Sequence, residues 1–387
     1  MKFFGYKRID GCVGIRNHVL ILPTSGCAVE VCKQSAERLN GAVTFINQNG
    51  CGETNRNLKL TQDIISGLAI NPNIYGIICV GLGCEINTLD CTLNLIKLKT
   101  SKPIDGICIQ QEGGTINAIA KTTQLAQKMI LEASSIKREE CDISEITVGI
   151  ECGGSDATSG LAANPIVGQA ADKLINMGAT AMFGETSEMI GAEHLLASRC
   201  RSKSTAIKLL STIKKREEDL KALGEDIRLS QPSPGNKDGG ITTLEEKSLG
   251  CILKGGTSPI MEFVEYAKKP TKKGLVIMDT PAYDLNSVTA LVAGGAQMII
   301  FTTGRGSAIG NPVAPVIKVT ANKNTFNKMT DNIDYNLSSF LSGEKIEILS
   351  QYMLDEIVDI ANGKLTKAEI LKYGFCDTVI SRIADYL

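Results

Sequence analysis

Tryptophan is absent from this 387-residue chain, and with eight tyrosines and nine phenylalanines the aromatic share is only 4%. So thin a supply provides no stacking surface for single-stranded nucleic acid or for a carbohydrate groove. An excess of charge of one sign is also lacking: 41 Lys+Arg stand against 42 Asp+Glu, for a net charge of −1. Binding a phosphate backbone needs a basic surplus, so nucleic acid is excluded as a default partner. Histidine is nearly missing, with only His18 and His194, which removes zinc sites built from several imidazoles. No apolar run reaches the roughly 18 residues of a membrane span. The N-terminal MKFFGYKRIDG carries no hydrophobic segment ahead of a small-residue cleavage site. A cytoplasmic location with no membrane partner is expected.

Cysteine and glycine are plentiful. Thirteen cysteines, an odd number without the dense spacing of a disulfide framework, read as mostly free thiols in a reducing compartment. Glycine at 38 residues exceeds ordinary usage, which suits backbone turns that approach a ligand closely.

Apolar, β-branched runs bounded by glycine recur at 18–26, 42–50, 75–83, 104–110, 146–154, 180–184, 274–280 and 296–304 and read as buried strands. Stretches with helical periodicity lie between them, at 27–39, 53–70, 114–134, 158–177 and 187–223. This alternation predicts an α/β fold of parallel-sheet, Rossmann-like halves with helices on both faces. The polar run 132–145 suggests two domains, 1–140 and 141–387. A second polar segment, LSQPSPGNKDGG (229–240), reads as a flexible linker by composition, or as an active-site loop.

Several strands end in glycine beside cysteine: Cys51 in NQNGCGET, Cys84 in GLGCEIN, Cys152 in IECGGSD. In an open parallel sheet ligands gather beyond the carboxyl ends of the strands, so these three thiols are candidate ligands for iron, as a single ion or as a cluster. The alternative is that they fill space as buried thiols do, the role assigned to Cys27, Cys32, Cys79, Cys91, Cys108, Cys141, Cys200, Cys251 and Cys376. His194, with Glu185, Glu188 and Glu193 nearby in GETSEMIGAEHLL, is a candidate proton-transfer group. Two Gly/Ser/Thr-rich turns carry cations, Lys247 and Lys254 in KSLGCILKGGTSPI and Arg305, beside Ser307, in FTTGRGSAIGNP. Such turns can hold a carboxylate. MDTPAYD adds Asp279, Tyr283 and Asp284 as acid/base or orienting candidates.

The strings FGYKRIDGCVGIRNHVLILPT (4–24), VGLGCE (80–85), ECGGSDATSGLAANPIVG (151–168), ETSEMIGAEHLL (185–196), PSPGNKDGGITTLEEKSLGCILKGGT (232–257) and 278–322 together resemble the altronate/galactarate dehydratase family of sugar-acid hydro-lyases, which also includes the large subunit of sulfolactate sulfo-lyase. The resemblance implies β-elimination of water from a sugar acid such as altronate or galactarate, giving a 2-keto-3-deoxy acid, with dependence on a divalent metal, iron above all. For that chemistry we expect iron at Cys51, Cys84 and Cys152, carboxylate binding by Arg305, proton transfer by His194 oriented by Glu185, and substrate contacts from Lys247, Lys254 and Ser307. Single-chain relatives begin with a small SAF-type domain. This chain starts where that domain would end, which implies a separate small subunit; a homo-oligomer is a further expectation. Asn47 stands where many relatives have histidine. The rival readings are sulfite release from a sulfonated hydroxy acid and a non-catalytic metabolite-binding module.

Overall fold

The computed structural model describes residues 1–374. Cys376, expected as a packing thiol, lies outside the described residues. The chain opens with β1 (Lys2–Lys7) and its antiparallel neighbour β2 (Val13–Gly14), then builds a parallel sheet from β3 (His18–Pro23), β4 (Ala42–Val43), β5 (Ile74–Gly81) and β6 (Ile104–Cys108), in the order β4-β3-β5-β6. β7 (Glu139–Asp142) returns to pair antiparallel with β1. The remaining strands are β8 (Thr147–Cys152), β9 (Thr180–Phe183), β10 (Ile260–Val264), β11 (Gly274–Met278), β12 (Met298–Thr302), β13 (Val316–Thr320) and β14 (Tyr335–Asn336). They form a second parallel sheet in the order β10-β11-β9-β8-β12-β13-β14. The expected α/β architecture is therefore present, and every strand run read from the sequence lies in one of these two sheets.

The strands read as continuous apolar runs because both faces of each sheet are covered. Alternation along each strand sorts the side chains into different cores. Met298 and Ile300 of β12 enter one cluster and Ile299 and Phe301 another. In β3, Leu20 and Leu22 join that second cluster, whereas Val19 and Ile21 face a third. The second core therefore lies between the two sheets, filled by the helices Asn55–Ile70 and Asp284–Ala293. The molecule is layered helix, sheet, helix, sheet, helix, and the middle helical layer is shared.

Polar side chains fix how the two sheets meet. Asn71 and Asn73, just ahead of β5, are fully buried. Asn71 Nδ2 donates to the carbonyls of Val292 (2.8 Å) and Ala296 (2.9 Å), and Asn73 Nδ2 donates to those of Gln297 (2.8 Å) and Val313 (3.0 Å). These carbonyls precede β12 and β13, so the amino ends of both sheets abut. At the same end Gly67 packs on Ala293, whose carbonyl oxygen would stand 2.6 Å from any added Cβ. Both middle helices thus end at this seam and start at the carboxyl edge of their own sheet, so the two carboxyl edges open on the same side.

Two expectations change. The segment 187–223 is not one helix but a 3-10 turn, a short helix Glu193–Ser198 and the helix Lys203–Ala222. The segment 229–240 is not a free linker: it holds the short helix Pro234–Asp238, and buried Asn236 donates to the Ser155 carbonyl at 2.9 Å. Its Pro/Gly composition serves tight turns laid against the loop after β8. The antiparallel trio β1, β2 and β7 was not anticipated; β2 and β7, of two and four residues, are too short for a period to register. No described helix is long and apolar enough to cross a membrane.

Asn73 Oδ1 also accepts the backbone N–H groups of Ile15 (2.9 Å) and Arg16 (3.2 Å). Asn73→Ala strands several buried backbone groups at once, each costing about 1–3 kcal/mol. Urea denaturation of this variant should show a stability loss of about 3 kcal/mol or more; a loss below about 1 kcal/mol would mean that the seam is not held by this side chain.

Candidate active site at the carboxyl edge

Strand order reverses at β8. The chain leaves β8 for β9 on one side through the helix Asn164–Asn176, and later returns through the helix Asp284–Ala293 to β12 on the other. These helices pack in different cores on opposite faces of the sheet. Between connections that diverge in this way a crevice opens beyond the carboxyl ends of β8 and β12, the usual ligand position in open α/β sheets.

The residues at that position are mostly ionisable. Glu151 and Cys152 end β8, Glu185 and Glu188 follow β9, the helix Leu244–Ile252 presents Lys247 and Cys251, and Lys254 stands in the next turn. Glu151, Cys152, Glu185, Glu188, Cys251 and Lys254 are all buried. The Lys254 ammonium pairs with Glu185 Oε2 at 2.5 Å and donates to Cys152 Sγ at 3.1 Å and Cys251 Sγ at 3.3 Å. The two sulfurs are 3.2 Å apart, and Cys251 Sγ donates to Glu188 Oε2 at 3.1 Å. Lys247 pairs with Glu188 Oε1 at 2.7 Å. Glu151 Oε2 accepts from Ser287 Oγ at 2.6 Å, and Ser287 lies 3.0 Å from Thr280 Oγ1, which in turn accepts the Glu185 N–H at 2.6 Å. Glu185 is held in the left-handed region, φ 69 and ψ 58, a strained conformation for a side-chain-bearing residue that such networks maintain.

Burial and crowding set the charges. Burial, then the Glu185 charge, pushes Glu151 well above the ordinary carboxylate range. Burial and Glu188 push Glu185 up against the pull of Lys254. Burial would raise Glu188 too, but Lys247 and Lys254 outweigh it and hold that carboxylate low. Burial alone would discharge Lys254; the two sulfurs, Glu185 and Glu151 prevail and hold it charged. The hydrogen bond with Cys152, with burial, keeps Cys251 a thiol. Asp284, half-buried at the start of its helix, is pushed up to about 7, chiefly by burial and by Glu185 and Glu188. It lies against Gly153, where an added Cβ would stand 2.2 Å from Asp284 Oδ2. Carboxyls with pKa values driven apart in one crevice are what acid/base catalysis needs.

The sequence-derived candidates separate. Glu185, Lys247, Lys254 and Cys152 meet in this cluster. Arg305 is exposed beside it: its N–H donates to the Gly154 carbonyl at 2.8 Å, and an added Cβ on Gly235 would stand 3.8 Å from its Nε. Ser307, half-buried, accepts the Ile309 N–H at 3.2 Å. His194 is exposed on the helix Glu193–Ser198 with no side-chain partner among the described residues, and Glu185, expected to orient it, is engaged by Lys254 instead. Cys51 and Cys84 are exposed on loops of the other sheet and do not join Cys152. The set that does converge is Cys152, Glu185, Glu188 and Cys251, whose ligand atoms lie within 4.8 Å of one another and could hold a metal ion. In this arrangement, however, the Lys254 ammonium already supplies a positive charge among those donors.

Glu151, Glu188 and Cys251 are the functional candidates that sequence reasoning missed or placed elsewhere. Cys251 was expected only to pack. The signal was there: Lys247, Cys251 and Lys254 sit at i, i+4 and i+7, one face of a helix, and Glu151 ends a strand that is otherwise apolar. A cavity of about 250 Å³ opens onto Lys247, Cys251, Asn164 and Ser155. A larger one of about 710 Å³ lies between the helices Asn55–Ile70 and Lys203–Ala222, with Arg216 and Asp279 among its lining residues. Asp279 accepts from Thr186 Oγ1 at 2.7 Å, one residue from Glu185.

A catalytic α/β fold with an acid, thiol and lysine cluster at its switch point agrees with the comparisons. Residues 143–385 match the family model described as D-galactarate/altronate dehydratase, C-terminal, and residues 5–134 match that of D-galactarate dehydratase/altronate hydrolase, second domain. The chain belongs to the D-galactarate/altronate dehydratase family. It is 36% identical to the (2R)-sulfolactate sulfo-lyase subunit beta of Chromohalobacter salexigens, over 98% of this chain and 97% of the relative. It is 34% identical to the altronate dehydratase of Escherichia coli, over 93% and 74%, and 36% identical to the galactarate dehydratase (L-threo-forming) of the same organism, over 78% and 58%.

Lys254→Met leaves Glu185 buried without its counter-ion, a change that typically costs about 3–5 kcal/mol. Arg305→Ala, at an exposed position, should stay within about 0.5 kcal/mol of the parent. Denaturant midpoints of the two variants compare these directly, and equal midpoints would contradict the electrostatic picture of the cluster.

Proposed function

We propose that this chain is a lyase that dehydrates a sugar acid of the altronate or galactarate type to a 2-keto-3-deoxy acid by β-elimination at the β8/β12 crevice. The observation that carries the reading is Asp284, a half-buried carboxyl with a pKa near neutrality, set against Gly153 and backed by Glu151, Glu185 and Lys254. Arg305 and Ser307, in the turn after β12, receive the substrate carboxylate, the guanidinium through a bidentate pair. Asp284 removes the proton α to it. That proton is weakly acidic, so the positive field of Lys247 and Lys254 behind the crevice must favour the charge that develops. Glu151, kept protonated by burial, is the proton reservoir for the departing hydroxyl. Lys254 touches no solvent and acts as a positioning residue for Glu185. His194 takes no part in this reading.

Iron, implied by the family resemblance, would supply a Lewis acid for the carboxylate or the leaving oxygen. Sulfite release from a sulfonated hydroxy acid is the second reading, favoured by the relative matched nearly end to end being a sulfolactate sulfo-lyase subunit. That relative's being a subunit also supports a small partner chain. Residues 1–140 and 141–387 act as two units in a cytoplasmic enzyme, each giving one wall of the cleft.

Incubating purified protein, with iron and with a candidate small subunit, against altronate, galactarate and sulfolactate separates the readings: a 2-keto acid formed without sulfite is expected, and sulfite formation would replace the primary reading. Asp284→Asn should cut kcat by about 10²–10⁴ while the fold is kept. Because the Asp284 carboxyl is protonated below about 7 and charged above it, kcat/KM should rise with pH through that value and then level. The stability owed to this raised pKa runs the other way, present in acid and lost as pH climbs through about 7. A flat profile between pH 6 and 8 would remove Asp284 as the base.

A further inference from the structure

We propose that Cys152 and Cys251 are an oxidation site: a small hydroperoxide converts these two thiols, which meet in the β8/β12 crevice, into a disulfide. The bond depends only on where the thiols stand. Its effect on turnover rests on the hydro-lyase reading.

The two sulfurs are 3.2 Å apart although 99 positions separate them along the chain. A disulfide is about 2.05 Å long, so closure by about 1.2 Å joins them. Among the described residues no other two sulfurs are in hydrogen-bond contact.

The backbone builds this approach. Asn164, fully buried, donates through Nδ2 to the Gly250 carbonyl at 2.9 Å, and its Oδ1 accepts from Thr302 Oγ1 at 2.6 Å. Thr302 is the register partner of Cys152 between β12 and β8. One amide therefore ties the residue before Cys251 to the strand beside Cys152. Two glycines make room for the contact: a Cβ on Gly160 or Gly250 would stand 3.0 Å from the other's Cα. The helix Leu244–Ile252 is thus seated on the turn Ser159–Ala163, close enough for its thiol to reach the end of β8.

The surroundings suit oxidation rather than inert packing. The Lys254 ammonium donates to Cys152 Sγ at 3.1 Å and to Cys251 Sγ at 3.3 Å, and a cation beside a thiol favours the nucleophilic thiolate. Cys251 Sγ donates to Glu188 Oε2 at 3.1 Å, so an acceptor for its proton is already in place. The cavity of about 250 Å³ is lined by Cys251 but not by Cys152. Exposed Leu161, Leu249 and Leu253 also line it, so it communicates with solvent. A hydroperoxide little larger than water enters there and meets Cys251 first.

Glu188 accepts the Cys251 proton as Sγ bonds to one peroxide oxygen; the O–O bond breaks, and the departing oxygen recovers that proton and leaves as water. Cys251 is then a sulfenic acid. Cys152 Sγ attacks it, the S–O bond breaks, and the hydroxide takes the Cys152 proton and leaves as a second water. Two thiols are oxidised by two electrons and one hydroperoxide is reduced. Once joined, Cys251 has no proton to donate to Glu188, and Lys254 keeps only Glu185 as a strong partner among the groups it now touches. The contacts that set the carboxyl charges change at their centre.

The test treats the full, reduced chain with hydrogen peroxide, blocks remaining thiols with iodoacetamide in denaturant, and maps proteolytic peptides by mass spectrometry. A Cys152–Cys251 cross-link in most chains, lost on treatment with dithiothreitol, is expected. Cys152→Ser should hold a sulfenic acid at Cys251, trapped with dimedone, whereas Cys251→Ser should leave Cys152 a free thiol. Recovery of both residues as alkylated thiols, at peroxide doses that oxidise the exposed Cys27, Cys51, Cys84 and Cys91, would overturn the proposal. So would a dimedone adduct at Cys152 in Cys251→Ser. The mapping of the parent chain decides the matter even where a variant does not fold. Cross-linked chains that turn over a sugar acid at the rate of the reduced chain would leave the oxidation site standing and remove the crevice from the hydro-lyase reading. Loss of turnover that dithiothreitol restores would support both.

Discussion

Four hydrogen bonds from two buried asparagines decide the geometry on which the rest depends. Asn71 and Asn73 donate to carbonyls that precede β12 and β13, and no apolar pair could impose the same constraint. Hydrophobic contact between the sheets is non-directional and would tolerate sliding or rotation of one layer on the other. Buried amides that must be satisfied do not. With the amino edges pinned, the carboxyl edges of both sheets have one orientation left. The cysteine loops of the first sheet and the acid cluster of the second then both lie at the carboxyl ends of their strands.

The second sheet shows how a single buried cation organises acids. Lys254 stands among Cys152, Cys251 and Glu185, and the net effect is a split: Glu188 held charged by Lys247 and Lys254, Glu151 and Glu185 driven towards the neutral form, Asp284 left near neutrality at the edge. Four carboxyls of ordinary chemistry acquire different protonation states from their distance to two lysines and from their depth. That spread lets one crevice offer both a proton acceptor and a proton donor at the same pH.

Much of this was legible in the residues. The glycine-bounded apolar runs such as 75–83 and 296–304 are strands because their Val/Ile-rich composition requires cover on both faces, and the parallel sheets followed. The chemistry was legible in part, since the motif around Cys152, Glu185, Lys247 and Lys254 does gather. What could not be read was partner choice. Nothing in the spacing distinguishes Cys152, which ends a strand of the second sheet, from Cys51 and Cys84, which follow strands of the first; all three share the glycine-rich context. His194 looked functional because histidine is rare, but its helix turns it outward. Cys27 and Cys251 looked like filler because burial is the usual fate of a free thiol, and one proved exposed while the other entered the acid cluster. The weak signals included those of length: β2 and β7 span two and four residues, too few for alternation to declare itself.

The left-handed backbone at Glu185 carries a further meaning. A glutamate in that conformation costs on the order of 1–3 kcal/mol relative to glycine, yet glycine there would discard the carboxylate that Lys254 requires. The position is a frustrated one, where the best residue for the chain's path and the best residue for the interior charge are different amino acids. Mutational drift at 185 is therefore blocked from both directions: substitutions that relax the backbone unbalance the lysine, and substitutions that keep a negative charge retain the bend.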